Sequence, residues 1–157
     1  MREILFKAKR IDNGEWVEGY LFDNGFDGEE KKYFIGGLII EKYNGTACDE
    51  WDITGIDFCE IDPETLCQFT GRCNKNENKI WENDIIKYHF GEIYAPIKYG
   101  YYQNCFDSQK TEHVGFYVDW PDGKCLRKDL GYWINMVDTM PVGNIFDNPE
   151  LLQEEHR

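Results

Sequence analysis

Few residues in this chain have the types to do chemistry, and their spacing decides how most of them read. Glu82 and Asp84, in "KIWENDIIKY", are carboxylates separated by one residue. Two nearby carboxylates can split their pKa values and divide acid and base work. In an extended strand, however, residues two apart share a face only while the chain stays regular. Glu82-Asn83-Asp84 lies between two short apolar runs, so it reads as a tight polar corner. At such a corner an aspartate accepts backbone N–H bonds. The expectation is a cap at Asp84, with Glu82 solvated or paired with a lysine. His89 in "KYHFGE" could approach a carboxylate, but His89, His113 and His156 are scattered and stand in no nucleophile–base motif. No catalytic residue is expected, and the chain is not read as an enzyme.

The run Asp49, Glu50, Asp52, Asp57, Glu60, Asp62 and Glu64 invites calcium. It lacks the alternating Asp/Asn pattern, central Gly and terminal Glu of an EF-hand loop. A solvated acidic face is the plainer reading, and docking of a basic partner is its functional rival. Six cysteines (Cys48, Cys59, Cys67, Cys73, Cys105 and Cys125) include no Cys-x-x-Cys pair and none at a zinc-like interval from a His. The N-terminus is charged from Arg2 and has no apolar core for export. Free thiols in a reducing, cytoplasmic setting are therefore expected. No metal and no cofactor are expected, and no membrane association.

These residues must be positioned by a chain of 157 residues with 16% aromatic and 41% apolar content, enough to bury a core. The net charge is −13, and residues 41–66 alone carry eight acids against one base. That field repels phosphates, so nonspecific nucleic-acid binding by the whole surface is not expected. A local basic face at Arg72, Lys75, Lys79, Lys87 and Lys98 stays open. Its interleaved aromatics could stack on single-stranded nucleic acid, or simply fill a small β core.

The hydrophobic period is mostly two. "EILFKAKR" and "EWVEGYLF" alternate, and Asn13-Gly14 between them favours positive φ at both turn centres, so the first 22 residues read as a β-hairpin. "KYFIGGLII" is a strand with a bulge or bend expected at Gly36-Gly37. The acidic segment 41–66 reads as turns, including "ITGID", with short β-prone pieces. "TLCQFTG", "KIW", "NDIIKYHF", "EIYAPIKYGYYQNCF" and "HVGFYVDW" read as further strands, and "GYWINMV" as a late one. Asn148 and Pro149 predict a short C-terminal helix. The fold class is mainly β, a bent sheet or small barrel with long hairpins.

The segment "ETLCQFTGRCNKNENKIWENDIIK" resembles the core pattern of the YopX family of phage and prophage proteins. The matching residues are Gln68, Phe69, Thr70, Gly71, Asn76, Ile80, Trp81, Glu82, Asp84 and Ile85. "REILFKAKRIDNGEWVEGYLF" and "VGNIFDNPELL" are similar to the family's first hairpin and closing segment. Two departures stand out. The family's Gly in the polar turn is replaced by Glu77, and its Gly in the corner by Asn83. Asn is the best non-Gly residue for positive φ, so the backbone can survive the second change.

The resemblance implies one YopX-like domain over 1–157, with hairpins and the acidic segment in 1–64. An SH3-like barrel element and the C-terminal helix would occupy 65–157. It implies no reaction. The expected role is a non-enzymatic interaction or accessory protein of phage origin, able to self-associate, that docks a host or phage protein. Candidate contacts are Asp49, Glu50, Asp52 and Asp57, with Lys75 and Lys79 on the basic side. The alternative is a nucleic-acid-binding module or an acidic DNA mimic.

Overall fold

The computed structural model describes residues 1–42 and 51–153, with side chains over 1–41 and 53–153. Cys48, Asp49, Glu50 and His156 lie outside the described residues. The chain divides into two compact units between Gln68 and Phe69. Both are mainly β, and all strand pairs are antiparallel. The strands are β1 (Phe6–Lys9), β2 (Trp16–Asp23), β3 (Tyr33–Lys42), β4 (Trp51–Glu60), β5 (Cys67–Cys73), β6 (Lys79–Trp81), β7 (Asp84–Lys87), β8 (Tyr94–Tyr102), β9 (His113–Val118) and β10 (Pro141–Asn144). Hydrogen bonding orders them as β4-β3-β2-β1-β5-β6 and β10-β7-β8-β9.

In the first unit β1 and β2 form the expected hairpin, but through a longer loop than an Asn-Gly pair alone would give. Gly14, at φ 72°, is the residue of that pair in the left-handed region. Its N–H donates to the Arg10 carbonyl at 3.0 Å, while the Asn13 side chain accepts from the Glu15 N–H at 2.9 Å. β3 runs straight through Gly36-Gly37, and the bulge expected there falls between Ile39 and Ile40. Gly36 serves close approach instead: a Cβ at that position would run into the Asp57 carbonyl and Phe58. The described part of the acidic segment is also more regular than its composition suggested. Trp51–Glu60 is one continuous strand, with Gly55 of "ITGID" paired to Ile39 rather than turning the chain. One face of this sheet packs Ala8, Ile35 and Ile61 with Val17, Leu21 and Leu66.

β5 pairs with β1 through Cys67 and Gln68, and with β6 through Phe69 and Cys73. In the second unit Ile80, Ile86, Ala95, Ile97 and Val118 are wholly buried, joined by Trp120, Leu130, Trp133 and Ile134. The four-stranded sheet is open, and among the described residues no barrel closes. "GYWINMV" is not a strand. Tyr132–Met136 is one π-helical turn, because Leu130, Trp133 and Ile134 bury at i, i+3 and i+4 spacing, a helical period. The C-terminal helix is shorter than expected: Pro149–Leu152 is a 3-10 turn. The Asn148 side chain does not cap it, and instead accepts from the Asn144 N–H at 3.3 Å.

One cysteine expectation is also corrected. Cys105 and Cys125 are disulfide-bonded with Cα atoms 5.8 Å apart, whereas Cys59, Cys67 and Cys73 are free thiols. No local spacing marks a pair 20 residues apart, and strand pairing is what brings the flanking loops together. Nearby, Asp129 accepts from the Tyr102 hydroxyl at 3.0 Å and the Asn104 amide at 3.1 Å. Burial first, and then the Asp129 hydrogen bond, push the Tyr102 phenol up to about 12. A folded-state pKa raised above the unfolded value gives stability that is whole below about pH 10 and is lost as pH rises through about 12. Urea unfolding followed from about pH 9 to 11.5 is expected to show a steeper decline in the native protein than in Tyr102→Phe. Parallel declines would disprove the coupling.

Candidate interaction surface

The polar hairpin and corner resolve most of the sequence-predicted residues into backbone support. Asn74 is 7% exposed, and its side chain accepts from the Asn76 and Asn78 N–H groups at 2.9 and 3.0 Å. Backbone bonds from Glu77 N–H to Asn74 O and from Asn74 N–H to Asn78 O close a three-residue loop. That loop needs a left-handed residue at its last position, and Glu77 takes it at φ 63°. Asn76 is an exposed member of the same turn.

At the corner Asn83 is left-handed too, at φ 70°. The Asp84 carboxylate, in a residue 6% exposed, accepts the Trp81 N–H at 2.9 Å. Thr70 donates to the Ile80 carbonyl at 2.7 Å, and Phe69 packs on Trp81 with ring centroids 5.5 Å apart. Ile80 and Ile85 are fully buried, and Gly71 turns β5 at φ 82°. Gln68 and Glu82 are partly buried beside them. The structure thus puts the Asp84 carboxylate on a backbone N–H. His89 is exposed and lies among rings, 5.0 Å from Tyr88 and 4.1 Å from Phe90.

The charged candidates do not gather into one site. Asp52 is in β4 with its side chain outside the described set, and Asp57 is exposed on the same strand. Lys75 is bound to Asp138 at 2.6 Å, Lys87 to Glu92 at 2.7 Å and Lys98 to Asp119 at 3.2 Å. Arg72 donates to Asn135 at 2.7 Å, and Lys79 is exposed. Hydrogen bonds from Lys87 and from the Tyr94 hydroxyl hold the Glu92 carboxyl below its ordinary value, and the Glu92 contact raises Lys87. Most of the basic face is therefore already matched by acids. Among the described residues no three His, Cys, Asp or Glu side chains group as a metal site requires.

A concavity of about 360 Å³ in the second unit is walled by Tyr88, Phe90, Phe106, Tyr132 and Trp133. Its one guanidinium, Arg127, already covers Phe106 and Tyr132 at 4.9 and 5.2 Å and bonds Asp129 at 3.3 Å. That engagement leaves the cleft little charge to offer a ligand.

The surface that sequence reasoning missed is on the first unit. Residues two apart on a strand, and cross-strand partners, share a face. The registers Tyr20–Gly36, Phe22–Phe34, Leu38–Ile56, Gly36–Phe58 and Ile40–Ile53 therefore put one set of side chains together. That face is opposite the one that buries Ile35 and Leu21. Tyr20, Phe22, Leu38, Ile40, Ile53, Ile56 and Phe58 are each 37% to 65% exposed. Phe22, Phe34 and Phe58 form an aromatic cluster with centroids 5.5 to 6.0 Å apart. Glu18 and the Glu60–Lys32 pair, at 3.9 Å, stand at the rim, and no charged residue interrupts the patch from Tyr20 to Ile53. The available signal was "GLII": three consecutive apolar residues on a strand cannot all face one core.

The sequence profile described as YopX protein matches residues 6–153. The chain belongs to the YopX family. The crystal structure of protein EF1440 from Enterococcus faecalis is similar in fold, with TM-score 0.52 and 19% identity over 98% of this chain and all of that one. No curated protein matches. No helix among the described residues is long and apolar enough to cross a membrane. Within this YopX chain the two departures from the family's glycines both fall on left-handed backbone. An L-residue there costs roughly 1 kcal/mol against glycine. Glu77→Gly is thus expected to raise the thermal midpoint by about 2–4 °C. Asp84→Ala, which strands the buried Trp81 N–H, should lower stability by about 2 kcal/mol. Calorimetry and urea unfolding check both, and an unchanged or lower midpoint for Glu77→Gly would refute the assignment.

Proposed function

We propose that this YopX protein is a non-enzymatic interaction protein of phage or prophage origin, acting in the cytoplasm by docking another protein. The supporting observation is the uncharged apolar face of β2, β3 and β4. A patch of this extent exceeds what monomeric soluble proteins usually leave in water. Of the carboxylate pair at the corner, Asp84 is committed to the backbone, which favours binding over chemistry. The small strands β6–β9 around one apolar core suit an SH3-like element, kept here as part of the reading. A nucleic-acid role is less favoured, because Lys75, Lys87 and Lys98 are already paired with acids.

The contact surface in this reading moves from the acidic residues Asp49, Glu50 and Asp52 to the apolar face. Tagged protein is to be incubated with host lysate, and the captured set scored with its own untagged copy included. Leu38→Lys/Ile56→Lys is expected to lose that set, while neutralising Asp57 leaves it intact. The same proteins captured by the double-lysine variant, or none by the native chain, would overturn the proposal.

A further inference from the structure

We infer that the occupant of the β2–β3–β4 face is a second copy of this chain, packed face to face across a two-fold axis. The inference rests on the docking role just proposed and names its partner. Three observations carry it.

The first is area. Seven large apolar side chains, each 37% to 65% exposed, together present on the order of 700 Å² of apolar surface. A standard stable interface takes about 800 Å² from each partner. Two such faces, stacked at the roughly 10 Å spacing of packed sheets, meet that requirement from the patch and its rim alone.

The second is charge. The chain carries −13, so two copies repel over most approaches. Along the patch no charged side chain opposes contact. Of the acids in the same hairpin, Glu41 and Asp57 alternate onto the opposite face of the sheet, turned away from the stacked copy, while Glu60 stays at the rim beside Lys32. A basic partner would be recognised through acids that the centre of this face does not present. A second copy offers an equal, uncharged surface, and an isologous contact needs only self-complementarity.

The third is the hairpin's two-sidedness. Beyond the Ala8–Ile35–Ile61 core, Ile39 on the other face is still 46% exposed. The β3–β4 hairpin is therefore exposed on both faces at Leu38 and Ile39, and among the described residues β4 is the edge of its sheet. A stacked copy covers Leu38, Ile40, Ile53 and Ile56 together. It also lies alongside the exposed edge, which otherwise invites open-ended strand pairing.

Light scattering after gel filtration, at protein concentrations from about 1 to 100 μM, tests the inference. The native chain is expected at twice 18.6 kDa. Association should hold or tighten between about 50 and 500 mM NaCl, because salt screens the acidic rims and weakens no attraction. Leu38→Lys/Ile56→Lys is expected at the single-chain mass, and Val142→Lys, an exposed apolar site in β10, at the native mass. A native protein that stays at 18.6 kDa at about 100 μM overturns the inference. So does a double-lysine variant that assembles as the native chain does, or association that salt dissolves.

Cross-linking keeps the test decisive if the double-lysine variant does not fold. In a Cys73→Ser background, mild oxidation of Leu38→Cys is expected to trap a covalent dimer, and Asp57→Cys to trap none. Equal trapping, or trapping only through Asp57→Cys, overturns the face-to-face arrangement. A single-chain native protein that still captures other proteins through the apolar face would refute the second copy as occupant and leave the docking role standing.

Discussion

The Asp84 carboxylate accepting the Trp81 N–H is the constraint on which the second unit depends. Around it the chain must leave β6 and enter β7 within two residues. Asn83 does this in the left-handed region, where its N–H donates to Ile97 of β8 at 2.7 Å and its carbonyl accepts from Ile145 at 3.0 Å. One corner thus fixes β6, β7, β8 and the segment after β10. The apolar residues on either side of it, Ile80, Trp81, Ile85 and Ile86, are buried because the corner aims them inward. A buried carboxylate is tolerated here because the Trp81 N–H meets it, and its loss would remove that bond in a low-dielectric interior.

The first unit follows a different logic. It has a sheet with a small core on one face and an equally apolar opposite face left in water. Solvent-facing strands of antiparallel sheets ordinarily alternate apolar with polar residues. β3 and β4 break that rule across Leu38, Ile40, Ile53 and Ile56, while Ile35 and Cys59 keep the core side. The break costs solubility and exposes an edge, and it is the observation on which the proposed docking role rests.

In this chain the most recognisable sequence motif is thus architectural. Phe69, Thr70, Ile80, Trp81, Asp84 and Ile85 pack or cap one hairpin and corner, and the stretch has its pattern because the backbone demands it. The proposed interaction surface lies in β2, β3 and β4, outside that stretch. Cys105–Cys125 and the Tyr102–Asp129–Asn104 network, likewise without a motif, tie the loops that frame the aromatic cleft.

Much of this was legible in the chain alone. Period-two alternation placed β1, β2, β3 and β5–β9, and Asn and Asp at turns marked the corner at Asn83-Asp84, because those signals are local. Sequence alone also placed Asp84 as a cap, since its role needs only Trp81, three residues away. Tertiary structure decided the rest. "GYWINMV" became helical because Leu130, Trp133 and Ile134 had a core to reach. β4 became a strand because β3 lay beside it, and Cys105 met Cys125 because long-range strand pairing closed the distance. The exposed face could not be read locally, for an apolar residue on a strand looks the same in sequence whether a neighbour covers it or water does. Exposure depends on what the rest of the chain leaves uncovered.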